Sequence, residues 1–246
     1  MRPRIAIPVP HSGDPEYASR SLPQYERAVE KAGGEPVAIP LDKTPAEVMK
    51  LIEQCDGVLL PGSRADVDPA KYDAPREPHT AASDPGRDTV DELLLQDAYN
   101  MKKPVLGICY GLQMLNVYRS GTLIQHIESA INHEAGRKVA VAHSVEVEPA
   151  SKLAEILGEA HDLPVNSSHH QSADVIGDGL RAVARSPEDG IIEAVEGTSA
   201  DHFVLAVQWH PERSVDDDEP SRAIFRALVE AAKTRQGQIA GKIEST

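Results

Sequence analysis

The chain has 246 residues, 40% of them apolar, and a formal net charge of −14. That length suits one α/β domain with a sizeable core. The negative charge argues against nucleic acid or an anionic membrane as partner, and no apolar run approaches membrane length.

In chain order, residues 5–9 read as a first strand. This run, broken by Pro8 and Pro10, is too short and too proline-rich for a secretory signal. Two cysteines, Cys55 and Cys109, form neither a disulfide framework nor a zinc set. The expected location is therefore cytoplasmic and reducing. After a loop holding His11, Ser12 and Asp14, residues 16–32 fit a helix with Leu22, Tyr25 and Val29 on one face and Gly33-Gly34 as its stop. Residues 36–39 are a second strand. Thr44, Pro45 and Glu47 at N-cap, N1 and N3 predict a helix to about residue 54, with Cys55 beyond it in the core. Residues 57–60 form a third strand that ends at Pro61-Gly62-Ser63. The loop 64–85, with Asp66, Asp68, Tyr72 and His79, is long enough to be functional or disordered. A helix over 86–100 carries Val90, Leu93, Leu94 and Ala98 on one face. This alternation predicts a right-handed parallel sheet flanked by helices, whose chemistry gathers at the carboxyl ends of its strands.

The next stretch changes period in its middle. Val105-Leu106-Gly107-Ile108 reads as a buried strand, whereas Leu112, Leu115 and Tyr118 recur at helical spacing. Cys109 stands on the turn between them, in Gly107-Ile108-Cys109-Tyr110-Gly111, the cysteine counterpart of a nucleophile elbow. Small flanking residues let backbone pass close by, and a helix starting here aims free N–H groups at the thiol, which favours thiolate. The pattern equally fits a buried cysteine in a strand–helix unit.

Beyond Gly121 the spacing becomes that of an antiparallel extension. Residues 138–147 alternate through Val139, Val141, Val145 and Val147, and residues 151–157 fit a capped helix closed by Gly158. Residues 180–184, 191–195 and 203–207 are short strands, and a helix over 216–233 carries Ile224, Leu228 and Val229. The organisation expected is a single domain over 1–236 with 237–246 as a frayed tail.

His210-Pro211-Glu212 follows the last strand. In extended backbone, residues two apart face the same side, so Glu212 can orient His210 as a base for Cys109. A strand-end histidine satisfied by a carboxylate gives the same pattern. His169 and His170 are adjacent and point apart, and no Cys, Asp or Glu stands at metal-ligand spacing, so no metal is expected.

Gly107-Ile108-Cys109-Tyr110-Gly111-Leu112-Gln113, with Gln208-Trp209-His210-Pro211-Glu212 about a hundred residues on, resembles the signature of the triad-type class I glutamine amidotransferases. Leu60-Pro61-Gly62-Ser63, Asp84-Pro85-Gly86-Arg87-Asp88, Val165-Asn166-Ser167-Ser168-His169-His170-Gln171 and Glu188-Asp189-Gly190-Ile191-Ile192-Glu193-Ala194 narrow the resemblance to the peptidase C26 branch, and within it to the γ-glutamyl-γ-aminobutyrate hydrolases of putrescine breakdown. The resemblance implies a flavodoxin-like fold and a hydrolase that cleaves a γ-glutamyl amide through a cysteine thioester. It gives Cys109 the role of nucleophile, His210 that of acid and base, and Glu212 that of its orienter. Gly62 or Ser63, with Tyr110, would form the oxyanion hole, and Gln113, Asn166, Ser167 and His169 would contact substrate. It implies no cofactor, a small-molecule substrate and a possible homodimer. Tyr110 stands where this branch often has Arg, and Ser120-Gly121-Thr122 where many relatives have a Gly-Gly pair. Rival readings are a glutaminase subunit serving a separate synthase, a folate-type poly-γ-glutamate hydrolase and a silent binding protein on the same fold.

Overall fold

In the computed structural model, which describes residues 1–158 and 161–244, the apolar runs become strands and the segments between them become covering helices. The first half of the chain forms β1 (Arg4–Pro8), α1 (Pro15–Lys31), β2 (Glu35–Ile39), α2 (Pro45–Ile52), β3 (Gly57–Leu60), α3 (Pro85–Met101), β4 (Val105–Ile108) and α4 (Tyr110–Tyr118). The second half adds β5 (Leu123–Ile124), β6 (His143–Val147), α5 (Lys152–Ile156), β7 (Asp162–Val165), β8 (Ser172–Ala173), β9 (Leu180–Arg185), β10 (Ile192–Gly197), β11 (Val204–Val207) and α6 (Glu219–Glu244). Helix starts are capped by side chains, at Thr44 and Ser151 as the sequence suggests and also at Asp14 and Asp84. Thr44 and Glu47 make a reciprocal capping box, and Asp14, Asp84 and Ser151 each accept from a first-turn N–H.

The main sheet has nine strands in the order β2-β1-β3-β4-β11-β10-β9-β6-β7. From β2 to β11 the pairings are parallel, and from β11 to β7 they are antiparallel. β5 and β8 pair separately. The inner parallel strands β3, β4 and β11 are apolar and buried throughout because helices cover both faces, whereas the edge strand β2 is largely exposed. Ile5, Ile7, Leu59, Leu106 and Ile108 pack towards α1 and α6. Ala6, Val58, Leu60 and Val105 pack towards α2, α3 and α4. Each fully buried Leu or Ile here contributes roughly 1.5–3 kcal/mol. No helix among the described residues is long and apolar enough to cross a membrane.

Two boundaries differ from expectation. The strand expected over 138–147 begins only at His143, and Val139 and Val141 are exposed. β7 offers partners only as far as Val165, so after the Ala142 N–H bond to Val165 O the residues before it have no strand to join among the described residues. The last helix starts at Glu219, with Asp218 accepting from Ser221 N, and runs on to Glu244 rather than stopping at 233. Arg235 bonds Met101 O and Gln236 bonds Asp56, which anchors its later turns to the body of the protein. Of the expected tail, residues 245 and 246 lie outside the described residues.

Candidate active site

Strand order places the site. β4 lies between β3 and β11, so the residues that leave β4 meet those that leave its two neighbours. Cys109 N–H donates to Val207 O at 2.8 Å, which extends the β4–β11 ladder to the elbow itself. Cys109 adopts φ 54° and ψ −106°, a region non-glycine residues rarely enter. The elbow needs its two glycines. A Cβ on Gly107 would stand 2.8 Å from Gly111 backbone, and one on Gly111 would stand 2.2 Å from Leu60 O.

At the end of β11, His210 Nδ1 lies 2.8 Å from Glu212 Oε1, and both side chains are buried. The expected extended backbone is not how they meet. Residues Pro211–Arg213 form a single 3₁₀ turn that folds Glu212 back under the ring. Asn166 clamps the same histidine from the other side. Its Oδ1 accepts from His210 N at 3.0 Å and its Nδ2 donates to His210 O at 2.9 Å. At the end of β3, Gly62 fills the gap between Cys109 and His210. A Cβ there would lie 3.0 Å from His210 Cε1, 3.1 Å from the Tyr25 hydroxyl and 3.7 Å from Cys109 Cβ. Gly62→Ala is therefore expected to push the imidazole out of line and lower kcat/KM by on the order of 10²-fold, with a thermal midpoint near the parent's. Steady-state kinetics beside a melting curve would check it, and an unchanged kcat/KM would contradict it.

The electrostatics differ from the expected preformed thiolate. Burial pushes the Cys109 thiol up to about 12, against the opposing positive charge of Arg213 and the Tyr110 N–H directed at its sulfur. Burial likewise pushes Cys55 up to about 11, so neither thiol is acidified in the free protein. Burial also lowers His210 below its ordinary 6.5, although Glu212 pulls it back up. Glu212 is held below its ordinary carboxylate value, against burial, chiefly by His210. Burial thus favours the neutral thiol and the neutral imidazole, and the imidazole favours the ionised form of the carboxylate behind it.

The other expected site residues divide. Tyr110 N–H is at the thiol, while its hydroxyl is buried and donates to Asp88. Gly62 N–H is not free for an oxyanion, because it donates to the Tyr25 hydroxyl at 3.0 Å. Ser63 N–H has no partner among the described residues. Gln113 is buried and donates to Gln171 O at 3.2 Å. Of the residues expected to touch substrate, Asn166 holds His210 instead, fully buried Ser167 donates to His133 O at 2.7 Å, and His169 turns to Glu193. His169 and His170 do point apart, the latter towards Asp66.

Sequence spacing missed several supporting residues. Tyr25, read only as a core residue, anchors the β3 turn through Gly62. Arg87, fully buried, bonds Asp91 at 2.7 Å, Pro10 O at 3.0 Å and Pro61 O at 2.6 Å, which ties the ends of β1 and β3 to α3. His133, His143, His169 and Glu193 also form a buried group whose donor atoms lie within 4.8 Å of one another. It escapes spacing rules because its members come from four separate segments. A cleft of about 550 Å³ lies along Ser144, Glu146, Arg185 and Glu188, and neither Cys109 nor His210 lines it.

This sheet, with the thiol elbow at its centre, is the class I glutamine amidotransferase fold. A protein of Thermoplasma acidophilum described as a candidate component of GMP synthase superposes with a TM-score of 0.70 at 15% identity, covering 98% of each chain. The glutaminase domain of Trypanosoma brucei CTPS superposes with a TM-score of 0.63 at 18% identity, covering 94% of each. The chain belongs to the Peptidase C26 family, whose model matches residues 9–212. It is 39% identical to a protein of Mycobacterium tuberculosis named as a candidate glutamine amidotransferase, over 87% of this chain and 68% of that one. It is 34% identical to the γ-glutamyl-γ-aminobutyrate hydrolase PuuD of Escherichia coli, over 88% of each.

Proposed function

We propose that the chain hydrolyses the γ-glutamyl amide bond of a small γ-glutamyl amine, of the γ-glutamyl-γ-aminobutyrate kind, by way of a thioester on Cys109. The observation that carries this reading is the strand-end geometry. A strained cysteine elbow on β4 faces, across Gly62, a histidine hydrogen-bonded to a buried carboxylate at 2.8 Å. The likeness to PuuD over most of both chains supports the substrate class.

Because burial raises the Cys109 thiol, His210 acts as a true base. As the Cys109 sulfur bonds to the γ-carbonyl carbon, its proton passes to His210, and Glu212 stabilises the imidazolium that forms. Tyr110 N–H and Ser63 N–H receive the developing oxyanion. The tetrahedral species collapses as His210 returns the proton to the leaving amine and the C–N bond breaks. A water molecule, deprotonated by His210, then attacks the thioester, and glutamate leaves with the thiol restored.

Glutamate release should be followed with γ-glutamyl-γ-aminobutyrate, γ-glutamyl polyamines, glutamine and folate polyglutamate in turn. Turnover of the small amides is expected. Turnover of glutamine alone, and only with an added synthase, would favour a glutaminase subunit, while no turnover of any would overturn the reading. A pH profile adds a second check. His210 must be unprotonated to accept the thiol proton, and its burial favours the neutral form. Activity should therefore persist below neutrality and fall only as pH drops through a value under 6.5. An acid limb of kcat/KM centred above neutrality would contradict it.

A further inference from the structure

The group formed by His133, His143, His169 and Glu193 takes no part in the chemistry at Cys109. His133 lies between β5 and β6, His143 opens β6, His169 follows β7 and Glu193 sits in β10. All four are nearly or fully buried, at 3%, 8%, 4% and 0% exposure. His133 Nδ1, His143 Nε2 and His169 Nε2 stand 3.3, 3.5 and 3.4 Å from Glu193 Oε1. Among the described residues, none of these nitrogens, nor either Glu193 oxygen, has a well-formed hydrogen bond.

The outward bonds fix where the ring protons are. His143 Nδ1 lies 3.0 Å from Ser144 O, and His169 Nδ1 lies 2.9 Å from Gln171 O. A carbonyl only accepts, so each of these nitrogens carries hydrogen. His133 Nε2 lies 2.9 Å from Asp189 Oδ2 and donates likewise. In its neutral form each ring therefore spends its N–H outside the group and turns a bare lone pair inwards, towards the same carboxylate. Left alone, three lone pairs and a carboxylate repel one another in a medium with no water to separate them. One extra proton would join one nitrogen to Glu193 and leave the other two unmatched.

A divalent cation satisfies all four donors at once. Donors bound to a tetrahedral zinc ion at about 2.0–2.1 Å stand about 3.3–3.4 Å apart, close to the three nitrogen–oxygen distances here. Metal-bound histidines characteristically donate their second ring N–H to a carbonyl or carboxylate, as these three do. The donor set of imidazoles and one carboxylate, without thiolate, suits a borderline ion such as zinc. We propose that His133, His143, His169 and Glu193 form a closed structural site for one divalent transition-metal ion, zinc foremost. The site would pin the segments around His133 and His169 to the main sheet. Asn166, which clamps His210, and Ser167, bonded to His133 O, belong to that same region. The metal would thus hold the base in place from behind without touching substrate.

The test uses the full chain, purified without metal-affinity resin from cells grown with added zinc. Elemental analysis after gel filtration should find about one zinc per chain, and X-ray absorption should show only nitrogen and oxygen neighbours at about 2.0–2.1 Å. Glu193→Gln and His143→Gln should each retain less than a tenth of that zinc. Stripping with a chelator should lower the thermal midpoint, and zinc should restore it. Wild-type protein that carries no metal and whose melting is unmoved by added zinc would overturn the proposal. So would a sulfur neighbour in the absorption spectrum, which places the ion at Cys109 or Cys55, or zinc retained undiminished by both variants. The absorption measurement needs only the wild type, so it decides the matter even where a variant fails to fold.

Discussion

Cys109→Ala is expected to reduce glutamate release by on the order of 10⁴–10⁶-fold while leaving the fold intact. The size follows from the division of labour at the strand ends. His210 and Glu212 can polarise only a nucleophile that is present, and Gly62 leaves no room beside the imidazole for a side chain to stand in. Alanine also keeps the Cβ in place, so packing around the elbow changes little. Glutamate release and a melting curve on the same preparation separate the two effects. Residual turnover above about a hundredth of the parent's, with the melting point unchanged, would show that the thiol is not the nucleophile.

Gly111→Ala is expected to be the most disruptive of the chain's Gly→Ala changes, since its added Cβ makes the shortest contact of any. Its Cβ would stand 2.2 Å from Leu60 O and 2.8 Å from Leu60 Cβ. The obstacle is the last residue of β3, a strand held on both sides by its neighbours, so it cannot turn aside as a flexible side chain would. Relief requires β3 or α4 to shift. Overpacking of this kind costs about 3 kcal/mol or more, which for a chain of this length lowers the thermal midpoint by roughly 6–12 °C. Thermal or urea melting checks it, and a midpoint within about 2 °C of the parent's would mean the elbow is less tightly packed than the backbone contacts imply.

The inner parallel strands β3, β4 and β11 were legible because each is buried on both faces and so reads as an unbroken apolar run, whereas the edge strand β2, largely exposed, was legible from its place between two helical patterns. The elbow was legible for a related reason: its two glycines and central cysteine answer to backbone geometry only a few residues long. The antiparallel half was read less well. Val139 and Val141 alternate like a strand, yet no strand among the described residues lies beside them, and alternation carries no information about partners. The 3₁₀ turn at Pro211–Arg213 was hidden because His210 and Glu212 can meet in either backbone form. The thiol's acidity was misjudged because a helix N-terminus is visible in sequence and burial is not. Against that helix end, enclosure raises the pKa to about 12. Asn166, Ser167 and His169 form one motif, but they face His210, His133 O and Glu193 respectively, partners brought near only by the fold.

Trapping with hydroxylamine tests the central claim most directly. If every γ-glutamyl amide passes through the same Cys109 thioester, hydroxylamine and water compete for one intermediate after the amine has gone. The ratio of γ-glutamyl hydroxamate to glutamate should then be the same for γ-glutamyl-γ-aminobutyrate, glutamine and a γ-glutamyl anilide, at a fixed hydroxylamine concentration. A ratio that changes with the leaving amine, or glutamate release that hydroxylamine never diverts, would mean that water attacks the amide itself and that no thioester lies on the path.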